Sequence, residues 1–483
     1  MYSELLGAFG REAHYRPKRY RPRELLSSLA KPHFRVGDRE YPLFDISSNG
    51  ASLIVPFEIE LPVGTDVDAA LVVHGVEAQH VFARVVRSEA DARGQRIGLS
   101  LTHGFLDLEA ARRLDASTQL EHALRIGPAD GVVPTEFREV ITEAVHLVQF
   151  YRRSLAPHEA MARAQGEQAI CELAARAYER LTPLYRELRE KASQAALSFM
   201  ADPRVLHAAK SYTTTVLTPL LLSAPMIDRS YHKPLGYPGD YQVMLYYYAD
   251  AFEGETAFAK AFHRLFVQHP LSAGVCTRKD YVVDCMEREL ARHEQRRTPD
   301  STFAVTSLGC GPALEVSAFI ESRKTWQGQI HWRLIDQEPR TLEVAYTGAQ
   351  RALASVSSRG TVECLNLAFG QLLRSPQLLT RGGEQHFIYS TGLFDYLNTK
   401  TSQQLLRALY DCLAPGGEML IGNAKGPNNY FFCPEFVLDW TLIYRTQEEM
   451  RELASVLPGD ARVEVDLEPG GAYWFLRIRK GEA

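Results

Sequence analysis

The chain has no Cys-x-x-Cys pair, although it holds seven cysteines, at positions 171, 276, 285, 310, 364, 412 and 433. Their odd number and scattered spacing argue against a disulfide framework or a zinc site, and for reduced thiols in a cytoplasmic compartment. No apolar run approaches the ~20 residues that a membrane-spanning helix needs. The longest, Val216 to Leu222, is interrupted by Thr218 and Pro219. The opening Met1-Tyr-Ser-Glu-Leu-Leu-Gly7 lacks the pattern of a secretory leader. An excess of positive charge is also missing: 54 Lys and Arg stand against 59 Asp and Glu, a formal net charge of −5. The chain as a whole is therefore no electrostatic magnet for nucleic acid. It carries no internal repeat and no low-complexity tract.

What is present is a globular composition, 45% apolar, over 483 residues, a length that predicts two or three domains. Three patterns follow one another. Residues 1–104 hold a basic arm and then short β-like runs such as Ala51-Ser-Leu-Ile-Val, Val81-Phe-Ala-Arg-Val-Val and Arg96-Ile-Gly-Leu-Ser-Leu, parted by Pro, Gly and Asp. That spacing predicts a small antiparallel β-barrel or sandwich. Residues 105–300 turn helical, with Ile170, Leu173, Ala174, Ala177 and Leu181 at three- and four-residue steps; this region is expected to act as connector and lid. Residues 301–483 alternate strands with helices, the signature of a largely parallel sheet. The expected fold class is thus multidomain, α+β and α/β.

The densest signal is Ser307-Leu-Gly309-Cys-Gly311-Pro-Ala-Leu-Glu315, between an apolar run at 303–306 and a helical segment. A second apolar run, Trp332-Arg-Leu-Ile, ends at Asp336. A strand, a glycine turn, a helix and a strand ending in an acid form a nucleotide-cofactor half-site. Gly309 and Gly311 permit a tight turn and close approach to a ligand, and Asp336 can accept from two ribose hydroxyls. A dinucleotide and S-adenosylmethionine (SAM) both fit that half-site.

Further runs at 361–365, 386–390 and 418–422, a helix-to-strand turn Leu413-Ala-Pro-Gly-Gly417 and a final strand pair joined by Pro469-Gly-Gly complete the order. With them, 301–483 resembles the class I SAM-dependent methyltransferase fold, Rossmann-like with a closing antiparallel pair. The resemblance implies that the loop of Gly309, Cys310, Gly311 and Pro312 holds the methionine end of SAM through its backbone N–H groups, at a helix start. It further implies that Asp336 and Gln337 meet the ribose, that Asn366 and Leu367 meet the adenine edge, and that Ser390 and Thr391 lie near the methyl group. Ser307 stands where the family often has an acid.

A second cluster, Tyr231-His-Lys-Pro-Leu-Gly-Tyr-Pro-Gly-Asp-Tyr241, is broken by Pro234 and Pro238 and so must be an ordered loop. With Gly392-Leu-Phe-Asp-Tyr-Leu397 and Asp439-Trp-Thr-Leu-Ile-Tyr-Arg445, it resembles a bacterial methyltransferase family that includes 3-hydroxypalmitic acid methyl ester synthases, makers of a quorum-sensing signal. That resemblance implies a small hydrophobic acceptor, with a fatty or hydroxy-fatty acid carboxylate favoured. A carboxylate is already ionised at neutral pH and needs no base. His232 or Lys233 would orient it, while Tyr237 and Tyr241 line the cleft. For an amine or phenol acceptor, Asp240 or Asp395 would serve as base. The run Tyr246-Tyr-Tyr-Ala-Asp-Ala-Phe252 is either helix core or the wall of an acyl channel.

Near the N-terminus, Asp45-Ile-Ser47-Ser-Asn-Gly50 and Arg19-Tyr-Arg-Pro-Arg23 match the Asp-x-Ser-x-x-Gly and Arg-x-x-x-Arg motifs of PilZ domains, β-barrels that bind cyclic di-GMP. The resemblance implies a nucleotide site at Arg19, Arg23, Asp45, Ser47 and Gly50, guanidinium groups being suited to planar contacts with phosphate and guanine. The chain then reads as a cyclic di-GMP-regulated methyltransferase, with no metal. Alternatives are a cyclic di-GMP effector whose methyltransferase-like part is a scaffold, and a NAD-dependent oxidoreductase. A homodimer is left open.

Overall fold

The structure, a computed structural model, describes residues 19–26, 30, 32–57, 59–91, 94–125, 131–296, 301–367, 372, 383–426 and 428–482. The chain divides into two compact units, Met1–Asp130 and Gly131–Ala483.

The first unit is a closed barrel of β1 (His33–Val36), β2 (Arg39–Ser47), β3 (Gly50–Val55), β4 (Asp66–Val73), β5 (Val76–Asp91) and β6 (Gly94–Leu101), in the order β1-β2-β3-β6-β5-β4. All pairings are antiparallel. Closure of β1 on β4 leaves no free sheet edge. Side chains alternate along each strand, and Phe34, Leu53, Val55, Val85 and Ile97 fill the interior. β2 and β3 meet in a tight turn at Ser48-Asn49, and Gly50 then passes so close to β6 that a Cβ there would lie 2.2 Å from the Leu99 carbonyl oxygen.

The second unit holds a seven-stranded sheet in the order β12-β13-β11-β10-β7-β8-β9. Strands β7 (Thr302–Leu308), β8 (Gln329–Asp336), β9 (Arg359–Asn366), β10 (Gln385–Ser390) and β11 (Leu413–Ala424) run parallel. β13 (Tyr473–Arg479) is antiparallel to β11, and β12 (Arg462–Leu467) closes the edge. The chain builds outward from β7 to β9 and returns to β10 on the other side of β7. That reversal makes a crevice at the carboxyl ends of β7 and β10, where open α/β sheets bind their ligands. One boundary differs from expectation: Leu413-Ala-Pro-Gly-Gly417 is the start of β11, not a turn before it. Its first residue already pairs with Gln385, and a bulge absorbs the glycines.

Helices cover both faces. Phe319, Trp332 and Phe387 pack on one side, and Leu405, Leu409 and Met419 on the other. The helices Thr135–Gln165 and Glu167–Leu197 pack against each other. Their apolar faces share a core with Phe262, Phe266, Phe432 and Phe436, so the segment after β11 is embedded among the helices. No helix among the described residues is long and apolar enough to cross a membrane.

Gly50→Ala is expected to cost the first unit roughly 1–3 kcal/mol, because its methyl group collides with backbone. All four tryptophans lie in the second unit, at 326, 332, 440 and 474. The substitution should therefore lower the melting transition seen by far-ultraviolet circular dichroism more than the one seen by tryptophan fluorescence.

Candidate functional site

β7 ends at Leu308 and the chain turns through Gly309 (φ 64°), Cys310 and Gly311 (φ 54°) into the left-handed Ala313 (φ 49°) before the helix Leu314–Arg323. The turn is stitched to β8. The N–H groups of Gly309 and Cys310 both donate to the Ile335 carbonyl, at 2.9 and 3.1 Å, and that of Gly311 donates to Asp336 Oδ2 at 3.0 Å. Pro312 has no N–H. The donors expected to face the methionine end of SAM are thus engaged within the protein, and the helix begins two residues later. What the turn turns outward is open space, since a Cβ on Gly311 would meet no atom within 4 Å.

Asp336 is 9% exposed. Its Oδ1 accepts from the Glu338 N–H at 3.0 Å. Burial lifts its carboxyl from 3.8 to about 6, against the opposing pull of the backbone N–H groups of Glu338, Gly311 and Gln337. Gln337 itself is exposed. At the end of β9, the exposed Asn366 donates from Nδ2 to the Asp336 carbonyl at 3.1 Å, and the Leu367 N–H reaches the same oxygen at 3.1 Å. At the end of β10, buried Ser390 donates to the Leu308 carbonyl at 2.8 Å, tying β10 to β7, and half-buried Thr391 follows. Cys310 is buried, with its thiol pushed well up by desolvation and then by Asp336.

The loop 231–241 meets both of the other matched segments. Lys233, left-handed at φ 49° and 9% exposed, ion-pairs with Asp439 Oδ2 at 2.7 Å and also donates to the Asp439 carbonyl. A Cβ on Gly239 would lie 2.5 Å from Trp440 Cζ2 and 3.3 Å from the Tyr396 hydroxyl; Trp440 Nε1 donates to that hydroxyl at 2.9 Å. Asp240 is fully buried. It accepts from the Gln242 and Val243 N–H groups as the cap of the helix Tyr241–Ala249, and from Arg229 Nε at 2.8 Å on both oxygens. It therefore holds the loop and has no free face toward the cleft. His232 is half-exposed and bonded through Nδ1 to Asp228 at 2.9 Å, while Tyr241 lies beneath the Arg229 guanidinium. Tyr237 is the member whose phenol lies within electrostatic reach of Asp336. Burial, then the carboxylates of Asp336, Asp240 and Glu338, hold its phenol far above the usual range. In the aromatic run, Tyr247 is buried on the helix Tyr241–Ala249, and Phe252, beyond its end, packs against Tyr178 and Arg264.

In the second unit, sequence reasoning quoted Arg445 only as the end of a matched segment and passed over Arg278. Arg445, 3% exposed, donates to the carbonyls of Phe394 (2.9 Å) and Leu397, to Asn423 Oδ1 and to Ser402. Asp395 is buried, accepts from the Ala424 N–H at 2.6 Å and is raised to about 6 by burial. Arg278, buried beside Tyr473, carried no local signal. Between the helices and the ends of β11 and β13 opens a cleft of about 920 Å³, lined in part by Val140, Lys191, Lys425, Asn428, Tyr430 and Ala472.

In the barrel, Tyr20 pairs with Ile46 through two backbone hydrogen bonds of 2.8 and 2.9 Å. This brings Arg19 onto Asp45 as an ion pair and onto Ser52 Oγ at 3.0 Å. Arg21 and Arg96 flank the Phe44 ring at 3.9 and 4.9 Å. Ser47 is fully buried and spends its hydroxyl on Asn49 and the Gly50 carbonyl, so it shapes the turn. The Arg23 side chain lies outside the described residues, although its backbone belongs to the short helix Pro22–Leu25.

No family model and no curated protein matches the chain. Among solved structures it is similar to magnesium protoporphyrin IX methyltransferase from Synechocystis PCC 6803 with bound SAH, at 12% identity over 53% of this chain and 99% of that one, with a TM-score of 0.34. It is similar to the S-adenosylmethionine-dependent methyltransferase SibL at 14% identity over 60% and 78% of the two chains, TM-score 0.32. It is also similar to a possible exported protein from Bordetella parapertussis, at 17% identity over 57% and 86%, TM-score 0.35. The site is accordingly interpreted from its own geometry.

A carboxyl whose folded value lies above its unfolded one keeps its proton longer in the fold. The contribution of Asp336 to stability is therefore fullest below pH ~4 and is lost as pH rises through about 6. Asp336→Asn should melt higher than the native chain at pH 7.5, with the gap shrinking toward pH 4. A variant melting lower at pH 7.5 would mean that the carboxylate's backbone hydrogen bonds outweigh its burial.

Proposed function

We propose that the second unit is a SAM-dependent methyltransferase for a small hydrophobic acceptor, a fatty or hydroxy-fatty acid carboxylate being favoured. We further propose that the barrel binds cyclic di-GMP and regulates it. The observation that carries the first part is the convergence, at the sheet's reversal point, of the open glycine turn, buried Asp336 and the Tyr237 loop. The residues fit the cofactor. Asp336 takes backbone N–H groups from Gly311 on Oδ2 and Glu338 on Oδ1, with Gln337 adding a third, and one carboxylate lone pair is left for a ribose hydroxyl. The Cys310 carbonyl accepts from the Ala313 N–H at 3.1 Å and the Gly311 carbonyl from the Cys310 thiol at 3.4 Å, so the Gly309 carbonyl is the turn's acceptor best suited to the methionine ammonium.

When bound, SAM supplies an electrophilic methyl group on a sulfonium. The chain's own residues then bind, align and exclude water. Asp336, Asn366 and Leu367 define the nucleoside end, and Ser390 and Thr391 stand at the strand end facing the acceptor. Lys233 and Asp240 fix the loop that bears Tyr237 and Tyr241 beside the β7–β10 crevice. No general base is needed for a carboxylate acceptor. In this reading 301–483 holds the donor, and the helices of 131–300 in the same unit supply the acceptor-facing lid.

Calorimetry with S-adenosylhomocysteine should show binding by the native chain and at least a tenfold loss in Asp336→Ala. No binding by the native chain would leave the sheet as a scaffold.

For the barrel, the support is the Arg19–Asp45 pair, held at a turn that Gly50 and Ser47 shape. Arg19→Ala is expected to weaken cyclic di-GMP binding tenfold or more. Methyl transfer to palmitate, timed with and without the nucleotide, tests regulation; equal rates and equal SAM affinity would sink it.

A further inference from the structure

Arg278, on the helix Pro270–Arg296, is 8% exposed, yet it makes no hydrogen bond and no ion pair among the described residues. Of the other guanidiniums buried as deeply in this unit, Arg189 keeps a 3.6 Å ion pair with Glu190, and two are spent. Arg333 pairs with Glu363 at 2.8 Å, and Arg445 donates to four oxygens. Arg278 instead stacks 4.6 Å above the Tyr473 ring. Its Nη2 and Nη1 face the backbone at Gly392, where a Cβ would lie 3.3 and 3.5 Å from them. Asp395, Glu315, Tyr248 and Tyr396 stand close enough to act on it electrostatically. The two carboxylates bond elsewhere, Asp395 to the Ala424 N–H at 2.6 Å and Glu315 to the Tyr389 hydroxyl at 2.8 Å. Tyr473 spends its hydroxyl on the Leu271 carbonyl at 3.0 Å.

A guanidinium carries five N–H donors; those of Arg278 are spent on no acceptor among the described residues, and none of its nitrogens is among the fully buried unpaired atoms, so they keep surface that a ligand can reach. Such a group persists where a ligand completes it. The missing partner is an anion with planar acceptor geometry, the match a carboxylate gives to a guanidinium. Its source follows from strand order. Asp336 ends β8, whereas Arg278 touches Gly392, just after β10, and Tyr473, at the start of β13. The nucleoside end thus lies on one side of the β7–β10 crevice and Arg278 on the other, toward the acceptor.

We propose that Arg278 is the receptor for the acceptor's carboxylate, and so selects acids among hydrophobic acceptors; this rests on the methyl-transfer reading above. Donation from the guanidinium edge leaves a lone pair on one carboxylate oxygen free to attack. That oxygen forms a bond to the methyl carbon while the carbon–sulfur bond breaks, its electron pair staying on sulfur. No proton moves. The products are a neutral ester and a neutral thioether, so the charge that held the acid against Arg278 is gone once it is methylated. Recognition of the substrate and release of the product would then follow from one ion pair.

The test uses the full chain and two matched pairs of probes, palmitate with palmitamide and benzoate with benzamide, with and without saturating S-adenosylhomocysteine. The native chain should bind at least one carboxylate tenfold or more tighter than its amide. Arg278→Met should reduce that preference to less than twofold, and Arg278→Lys should retain part of it. Both variants should bind S-adenosylhomocysteine within threefold of the native chain, which also reports that they fold. An undiminished preference in Arg278→Met overturns the proposal, as does a native chain with no preference for either acid, a result that needs no variant. A tenfold loss of S-adenosylhomocysteine affinity in both variants, without a matching loss for its decarboxylated analogue, overturns it too, assigning Arg278 to the donor's carboxylate. Failure of the methyltransferase reading looks different. The native chain then ignores S-adenosylhomocysteine, while the acid-over-amide comparison is still read in its absence.

Discussion

The buried guanidinium of Arg445 is the constraint on which the site's geometry rests. It gathers the carbonyls of Phe394 and Leu397 and the side chains of Asn423 and Ser402 at one point. Burial pulls its proton affinity down, with Asp395 opposing that pull. Its donors thereby fix the loop after β10 against the end of β11, and Asp395 adds two bonds as acceptor, its carboxylate from the Ala424 N–H and its carbonyl from the Ile443 N–H at 2.7 Å. Once that loop is fixed, Tyr396 can receive the Trp440 indole, Trp440 can press on Gly239, and the 231–241 loop has one place to lie. A charge surrounded by neutral oxygens suits this task. Breaking it strands several buried acceptors together, so the arrangement holds as a unit.

Seen this way, the polar residues of the 231–241 loop divide into two kinds. Lys233 and Asp240 are consumed by Asp439 and Arg229 and give the loop its shape. Tyr237 is held by that shape near Asp336. Two carboxyls in the same crevice, Asp336 and Asp395, are both raised to about 6 by burial.

Much of this was legible in the sequence because period and punctuation are local. The strands at 302–308, 329–336 and 473–479 announce themselves as apolar runs, and the glycine turn and Asp336 follow from them. β1 and β2 did not stand out, since Arg35, Arg39, Glu40 and Pro42 blur their alternation and barrel closure alone buries Phe34 and Tyr41. The engagement of the 309–311 N–H groups was hidden for another reason. It depends on where β8 ends relative to β7, a register set by pairing across the sheet. Arg278 was invisible because nothing in Val275-Cys-Thr-Arg-Lys-Asp says which cation on a helix will lack a partner. Its isolation is decided by Tyr473, 195 residues further along (473 − 278).

That distance bears on how the molecule is made. β13 is the last strand in chain order, yet it lies inside the sheet, between β11 and β12. Until it emerges from the ribosome, β11 presents an unpaired apolar edge from Met419 to Ile421, and the Arg278 guanidinium lacks the ring that covers it. The barrel, whose strands are close in sequence and antiparallel, can close well before then. Synthesis therefore passes through a stage in which one unit is finished and the other is a sheet with a sticky side. It is at that stage that a chaperone would have most to do.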